Sequence, residues 1–138
     1  MHEDVEKIFT NLVVGFVQNL RVGDPSKPRT DVGPLITVEA AMEIEKRINK
    51  AVARGAELLT GGRRQGALLY PTVLRKVNDR DELVKSETFG PVIPIMTFAD
   101  LDDAIGTCNS TVYGLQAGVF TKNLVLVKEL SSELTWAP

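Results

Sequence analysis

The chain has 138 residues, of which 43% are apolar and 25% charged, with a formal net charge of −2: the composition of one globular domain. Acids and bases are interspersed, which argues against nucleic acid or an anionic membrane as partner, and no apolar run approaches the ~20 residues of a membrane helix. A single cysteine, Cys108, and a single histidine, His2, exclude an internal disulfide and the usual zinc sites.

The opening MHEDVEKIF is acidic and amphipathic, unlike a signal or transit peptide, so a reducing cytoplasm is the expected location. Val5, Ile8, Phe9, Leu12, Val13, Phe16, Val17 and Leu20 recur at helical spacing and predict one amphipathic helix with a single apolar stripe. Gly23-Asp24-Pro25 stops it, and Ser26 to Pro34 is an ordered, turn-rich loop. Thr37 is a good N-cap for a second helix bearing Ala41, Ile44, Ile48, Ala51 and Val52, with Gly55 as its C-cap. Ala56 to Thr60 follows as a strand, closed by Gly61-Gly62.

Tyr70 to Val77 predicts a further strand, and Val92 to Phe98 another whose Pro94 demands a bulge or an edge position. Asp100 caps a helix to about Asn109, with Leu101, Ala104, Ile105 and Cys108 on one face. Ala117 to Phe120 reads as a strand, and Asn123 begins a last helix with Leu126, Val127 and Leu130. Alternating helices and strands predict an α/β fold: a mainly parallel sheet with packed helices.

Generic chemical motifs fail. Gly61 to Gly66 has the spacing of a phosphate loop but lacks the Lys-Ser/Thr that must follow, so a surface turn is the better reading. Asp100, Asp102 and Asp103 are not a calcium loop, because Ile105 and Thr111 stand at its glycine and glutamate positions. Asn109-Ser110-Thr111 matches a glycosylation sequon without a secretory context. Cys108 falls late in its helix, where the dipole disfavours a thiolate, and in register with apolar residues; a buried small hydrophobe is expected. Nothing brings His2 to any site as a base.

Several blocks, in order, resemble the NAD(P)-dependent aldehyde dehydrogenases. They are Val22-Gly23-Asp24-Pro25, Asp31-Val32-Gly33-Pro34-Leu35-Ile36, Ala51 to Ala56, Gly61-Gly62 and Pro71-Thr72-Val73-Leu74. Glu87-Thr88-Phe89-Gly90-Pro91-Val92, Asn109 to Leu115 and Val119-Phe120-Thr121 complete the series. Each block is weak alone; the ordered series is specific. The resemblance runs from about His2 to about Leu130 and implies one partial domain over residues 1–138, the C-terminal part of the catalytic, thiol-bearing domain. Residues 131–138 form a divergent tail.

That resemblance implies a mechanism for a complete enzyme: a cysteine thiolate attacks the aldehyde, hydride passes to nicotinamide, and a glutamate-activated water releases the acid. In the family's Glu-x-Phe-Gly-Pro motif the glutamate binds the nicotinamide ribose and the phenylalanine packs near the ring, roles that fall on Glu87 and Phe89. On spacing alone Glu87 would be a surface acid and Phe89 core. The family's nucleophile, general base, oxyanion asparagine and glycine-bearing cofactor domain lie upstream of the matching stretch, so no catalytic residue and no metal ligand is assigned and Cys108 does not inherit the nucleophile's role. The expected function is therefore a portion of an aldehyde-oxidising enzyme, itself inactive and binding no NAD or NADP alone, although the whole enzyme is expected to use one and to be a homo-oligomer. The alternative is a free-standing, non-catalytic α/β module that binds a partner or a full-length homologue. The turn from Gly61 to Leu69 is compatible with enzymes for semialdehydes, phosphonoacetaldehyde or lactaldehyde and does not choose among them.

Overall fold

The computed structural model describes residues 1–114 and 116–134. The first helix, α1, is Glu3–Gln18, capped by the His2 side chain, which accepts from the Asp4 amide at 3.3 Å. Glu3, Asp4 and Glu6 in its first turn oppose the helix dipole favourably. Only part of the predicted stripe is buried. Val17 and Thr10 face the interior with Val13 and Val14 beside them, whereas Val5, Ile8, Phe9, Leu12 and Phe16 are exposed.

A loop follows in which Arg21 grips Asp31 and a parallel bridge joins Val22 to Val32. Helix α2, Val38–Ala53, starts where expected, with Thr37 Oγ1 accepting from the Ala40 amide at 3.1 Å. Ala41, Ile44, Ile48 and Ala51 are its buried face. Arg54 is the C-cap, and Gly55 follows it at φ +105°, the left-handed position that a side chain would strain.

Strand β1 is Glu57–Thr60; a hairpin of β2, Arg64–Gln65, and β3, Leu68–Leu69, leads to β4, Thr72–Arg75. The Gly61–Gly66 segment is thus a turn and the first strand of a hairpin, as the surface-turn reading expects. A short helix, α3, spans Glu82–Lys85, and β5 spans Val92–Ile95. The sheet order is β1-β4-β5, with β1 antiparallel and β5 parallel to β4. The sheet is mixed rather than mainly parallel because the chain returns from β1 to β4 through a hairpin, without a crossover helix. Pro94 sits on β5, which is an edge strand, where a missing donor is tolerated.

Residues on β4 are buried on both faces. Val73 packs with Val17 and Ile95 on the α1 side, and Leu74 joins Ile44, Ile48, Leu69 and Leu83 on the α2 side. This period-two division makes β4 the centre of a helix–sheet–helix stack.

Helix α4, Leu101–Asn109, is capped by Asp100, whose Oδ1 accepts from the Asp102 amide at 3.0 Å; α5, Leu124–Glu133, is capped by Asn123 Oδ1 and the Val125 amide, also at 3.0 Å. Asp100 is the cap, as expected, and Asp102 and Asp103 lie in the first turn, where acids suit the helix dipole. Neither helix buries a residue fully. Cys108 is consequently exposed, against the expectation of burial: its helix has an apolar register, but among the described residues no second layer meets it. Described residues from Ala117 to Phe120 form no strand, because a strand needs a partner ladder and none lies beside them. Of the divergent tail, Ser131 to Glu133 continue α5, and residues 135–138 lie outside the described residues.

Candidate functional site

The Glu87–Val92 segment connects α3 to β5, and four contacts fix its backbone. Arg47 Nη1, from α2, donates to the Glu87 carbonyl at 3.1 Å. The Gly90 amide donates to the Thr88 carbonyl and the Val92 amide to the Gly90 carbonyl, each at 2.8 Å. The Thr72 amide of β4 donates to the Pro91 carbonyl at 2.8 Å. Gly90 is required by close approach: a Cβ there would lie 2.6 Å from Ile44 Cδ1 of α2. Helix α2 and strand β4 therefore hold the loop from two sides.

Its side chains are left outward. Glu87 is exposed, and among the described residues its carboxylate forms no ion pair or hydrogen bond. Phe89 is 83% exposed, which removes the core-packing reading that spacing alone favoured. Thr88 Oγ1, between them, is buried without a hydrogen-bond partner. The surrounding charges are paired: Arg47 with Glu43 at 3.5 Å, and Lys50 with Glu82 at 3.0 Å, a bond that lowers the Glu82 pKa. Each cation of α2, Lys46, Arg47 and Lys50, therefore has an acidic partner other than Glu87. An exposed carboxylate and an exposed ring, two residues apart on a fixed backbone, suit a ligand that offers hydroxyls beside a flat ring. That is what the ribose and pyridine of a nicotinamide cofactor present.

The other candidates are placed elsewhere. His2 caps α1 and lies 3.3 Å from Asp4. Cys108 is exposed near the end of α4. Asn109 of the sequon donates to the Glu133 carbonyl at 2.8 Å, tying α4 to α5. No group of three or more potential metal ligands occurs among the described residues, and no helix there is long and apolar enough to cross a membrane. Sequence reasoning missed Arg47, whose contact with Glu87 spans 40 positions and carries no local signal.

Comparison with known proteins gives the family. The model of the aldehyde dehydrogenase family matches residues 1–137, and the chain belongs to that family. It is 40% identical to a lactaldehyde dehydrogenase of Methanococcus maripaludis strain S2 over 136 residues, covering 99% of this chain and 29% of that protein. Identity to a sulfoacetaldehyde dehydrogenase of Neptuniibacter caesariensis is 42%, covering 97% of this chain and 29% of the relative. Among solved structures, it superposes on an NADP-bound glyceraldehyde-3-phosphate dehydrogenase of Methanocaldococcus jannaschii with a TM-score of 0.92 at 40% identity, covering 98% of this chain and 29% of the other. The chain thus spans about 29% of the length of these relatives.

Proposed function

We propose that these 138 residues contribute the nicotinamide-ribose wall of an NAD(P)-dependent aldehyde dehydrogenase and do not turn over an aldehyde alone. The carrying observation is the outward pair, Glu87 and Phe89, on a loop pinned by Arg47, Thr72 and the Gly90–Ile44 contact. A nicotinamide cofactor supplies the hydride acceptor when bound. Glu87 accepts hydrogen bonds from two ribose hydroxyls, and Phe89 gives the ring a dry wall that limits its tilt. The nucleophilic thiol, the general base and the oxyanion donor come from outside these residues; Cys108 stands at the C-terminal turn of α4, the helix end that disfavours an anionic nucleophile.

The substrate is an aldehyde, and the relatives' own names point to small polar ones. We place the whole enzyme in the cytoplasm, consistent with a lone exposed thiol, and as a homo-oligomer, consistent with the apolar surface left open here. The test is a chimera in which this chain replaces the matching stretch of the Methanococcus maripaludis enzyme. The chain alone should form no NADH or NADPH with lactaldehyde, and the chimera should. Glu87→Gln in the chimera should raise KM for the cofactor about 10-fold or more, as expected for hydrogen bonds to a charged group, with little change in KM for lactaldehyde. Unchanged cofactor KM in both Glu87→Gln and Phe89→Ala would contradict the reading.

A further inference from the structure

A cavity of about 270 Å³ lies where the end of α1 meets the β2–β3 hairpin and the start of β4. Gln18, Leu20, Thr60, Gly61, Arg63 and Tyr70 are among its walls, and it shares no residue with the Glu87–Val92 loop. Its size falls just below the roughly 300–1,000 Å³ of sites for drug-sized ligands, which fits a small molecule. Among the described residues, Arg63 is the one charged residue that lines it, and no acid does.

The Arg63 guanidinium lies over the Tyr70 ring, 4.2 Å from its centroid. Among the described residues its side chain forms no ion pair or hydrogen bond, whereas its neighbour Arg64 is committed to Glu45 at 2.7 Å. Stacking covers one face of the guanidinium plane and leaves the N–H donors, which lie in that plane, for a bidentate acceptor. It also restrains a long side chain before any ligand arrives, which lowers the entropy cost of gripping one. The side chains of Gln18 and Thr60 are likewise without hydrogen-bond partners among the described residues.

One buried hydroxyl holds this wall in place. Thr72 Oγ1 accepts from the Gly62 amide at 2.9 Å and donates to the Tyr70 carbonyl at 2.7 Å. The Tyr70 amide in turn donates to the Arg63 carbonyl at 3.0 Å. A Cβ on Gly61 would strike the Pro71 carbonyl oxygen, so glycine is what lets the chain close there. The Gly62 amide is thereby spent, so an anion here is gripped by a side chain and not cradled by amides as in a phosphate loop. The end of α1 does not oppose it at close range, because the Gly15, Phe16 and Val17 carbonyls already accept from Asn19 and Leu20.

We propose that this cavity binds a small oxyanion that carries a hydroxyl, a hydroxy acid or a phosphate. The negative group takes the forked edge of Arg63, and the hydroxyl meets Gln18 and Thr60. The site stands independently of the cofactor reading.

The test is an amide NMR titration of the 138-residue chain, read at Gln18 and Gly61, with L-lactate, propionate and glycerol 3-phosphate. At an ionic strength of about 0.15 M, where weak surface attraction is screened, binding should saturate below ~10 mM. Lactate should bind about threefold or more tightly than propionate, which lacks the hydroxyl. Arg63→Gln, at an exposed position, should weaken binding about tenfold or more and leave the rest of the spectrum unchanged. Arg80→Gln, the same change of charge at an exposed position beyond the other end of β4, should not weaken it. Tyr70→Ala should weaken it several-fold, and Tyr70→Phe, which keeps the stack, should not. Lactate ahead of glycerol 3-phosphate assigns a carboxylate, and the reverse order assigns a phosphate; both support the site. No saturable shift with any of the three overturns the proposal, as does binding indifferent to Arg63→Gln or to loss of the Tyr70 ring. Equal weakening by Arg63→Gln and Arg80→Gln overturns it too, and equal affinity for lactate and propionate removes the hydroxyl recognition.

Discussion

Arg47 on α2 donates to the backbone carbonyl of Glu87, 40 positions along the chain, and so couples a helix face to the loop that carries the candidate site. The side chain is mostly enclosed, paired with Glu43, and its hydrogen bond goes to main chain rather than to the carboxylate. Arg47→Ala should therefore leave Glu87 chemically intact while loosening its backbone. The expected cost is about 1.5 kcal/mol in urea unfolding, the low end for a hydrogen bond with a charged donor, because the bond is exposed. Amide exchange should rise across Glu87–Val92. Arg47→Lys should recover only part of this, because an ammonium cannot serve Glu43 and the carbonyl in the same forked geometry.

The contact between Gly90 and Ile44 makes a second, separable prediction. A methyl at Gly90 meets Ile44 Cδ1 at 2.6 Å, the flexible end of its side chain. Gly90→Ala should cost about 1–3 kcal/mol, the usual range for overpacking. Ile44→Val removes that δ carbon, so the double variant should be more stable than the sum of the single effects predicts. A double-mutant cycle on urea midpoints reads this coupling; strict additivity would show that the two positions do not meet.

Much of this framework was legible locally. Thr37, Asp100 and Asn123 each cap the helix expected of them, because a cap is made within three residues of chain. The α2 stripe was legible too, since Ile44, Ile48 and Ala51 meet a complete layer. Errors arise where the second layer is absent. Cys108 shares an apolar register with Leu101 and Ile105 yet is exposed, and Ala117 to Phe120 has strand composition without a ladder. Periodicity also could not tell which side of α1 met the sheet, as both sides are apolar. The hairpin strands β2 and β3 are two residues each, too short for any period to register. Of the candidate site, neither Glu87 nor Phe89 stands out by spacing; the ordered family blocks drew attention to them. Arg47 was invisible because only tertiary packing brings it to the loop.

Acid sensitivity should trace to the loop after α1. Asp31 accepts from Arg21 three times: from Nε and Nη2 at 2.9 Å and from the backbone amide at 2.8 Å. These bonds lower its pKa from 3.8 to about 2. A depressed carboxyl pKa contributes stability that is present above the unfolded value and is lost as pH falls through the folded one. The difference in stability between the parent and Asp31→Asn should thus be constant from neutral pH down to about 4 and should close between about 4 and about 2. Urea unfolding of both proteins across that window measures it. A gap that persists at the acid end would assign the effect of the substitution to something other than the carboxylate.

The central claim, that Glu87 takes the nicotinamide-ribose hydroxyls, is tested most directly by a cycle between one side chain and those hydroxyls. The measurement is cofactor affinity of the chimera, as Glu87 or Glu87→Gln, for the natural cofactor and for an analogue lacking both hydroxyls on that ribose. If the carboxylate accepts from them, Glu87→Gln weakens the natural cofactor about 10-fold or more and leaves the analogue nearly unchanged. Equal weakening of both ligands, or of neither, would contradict the assignment.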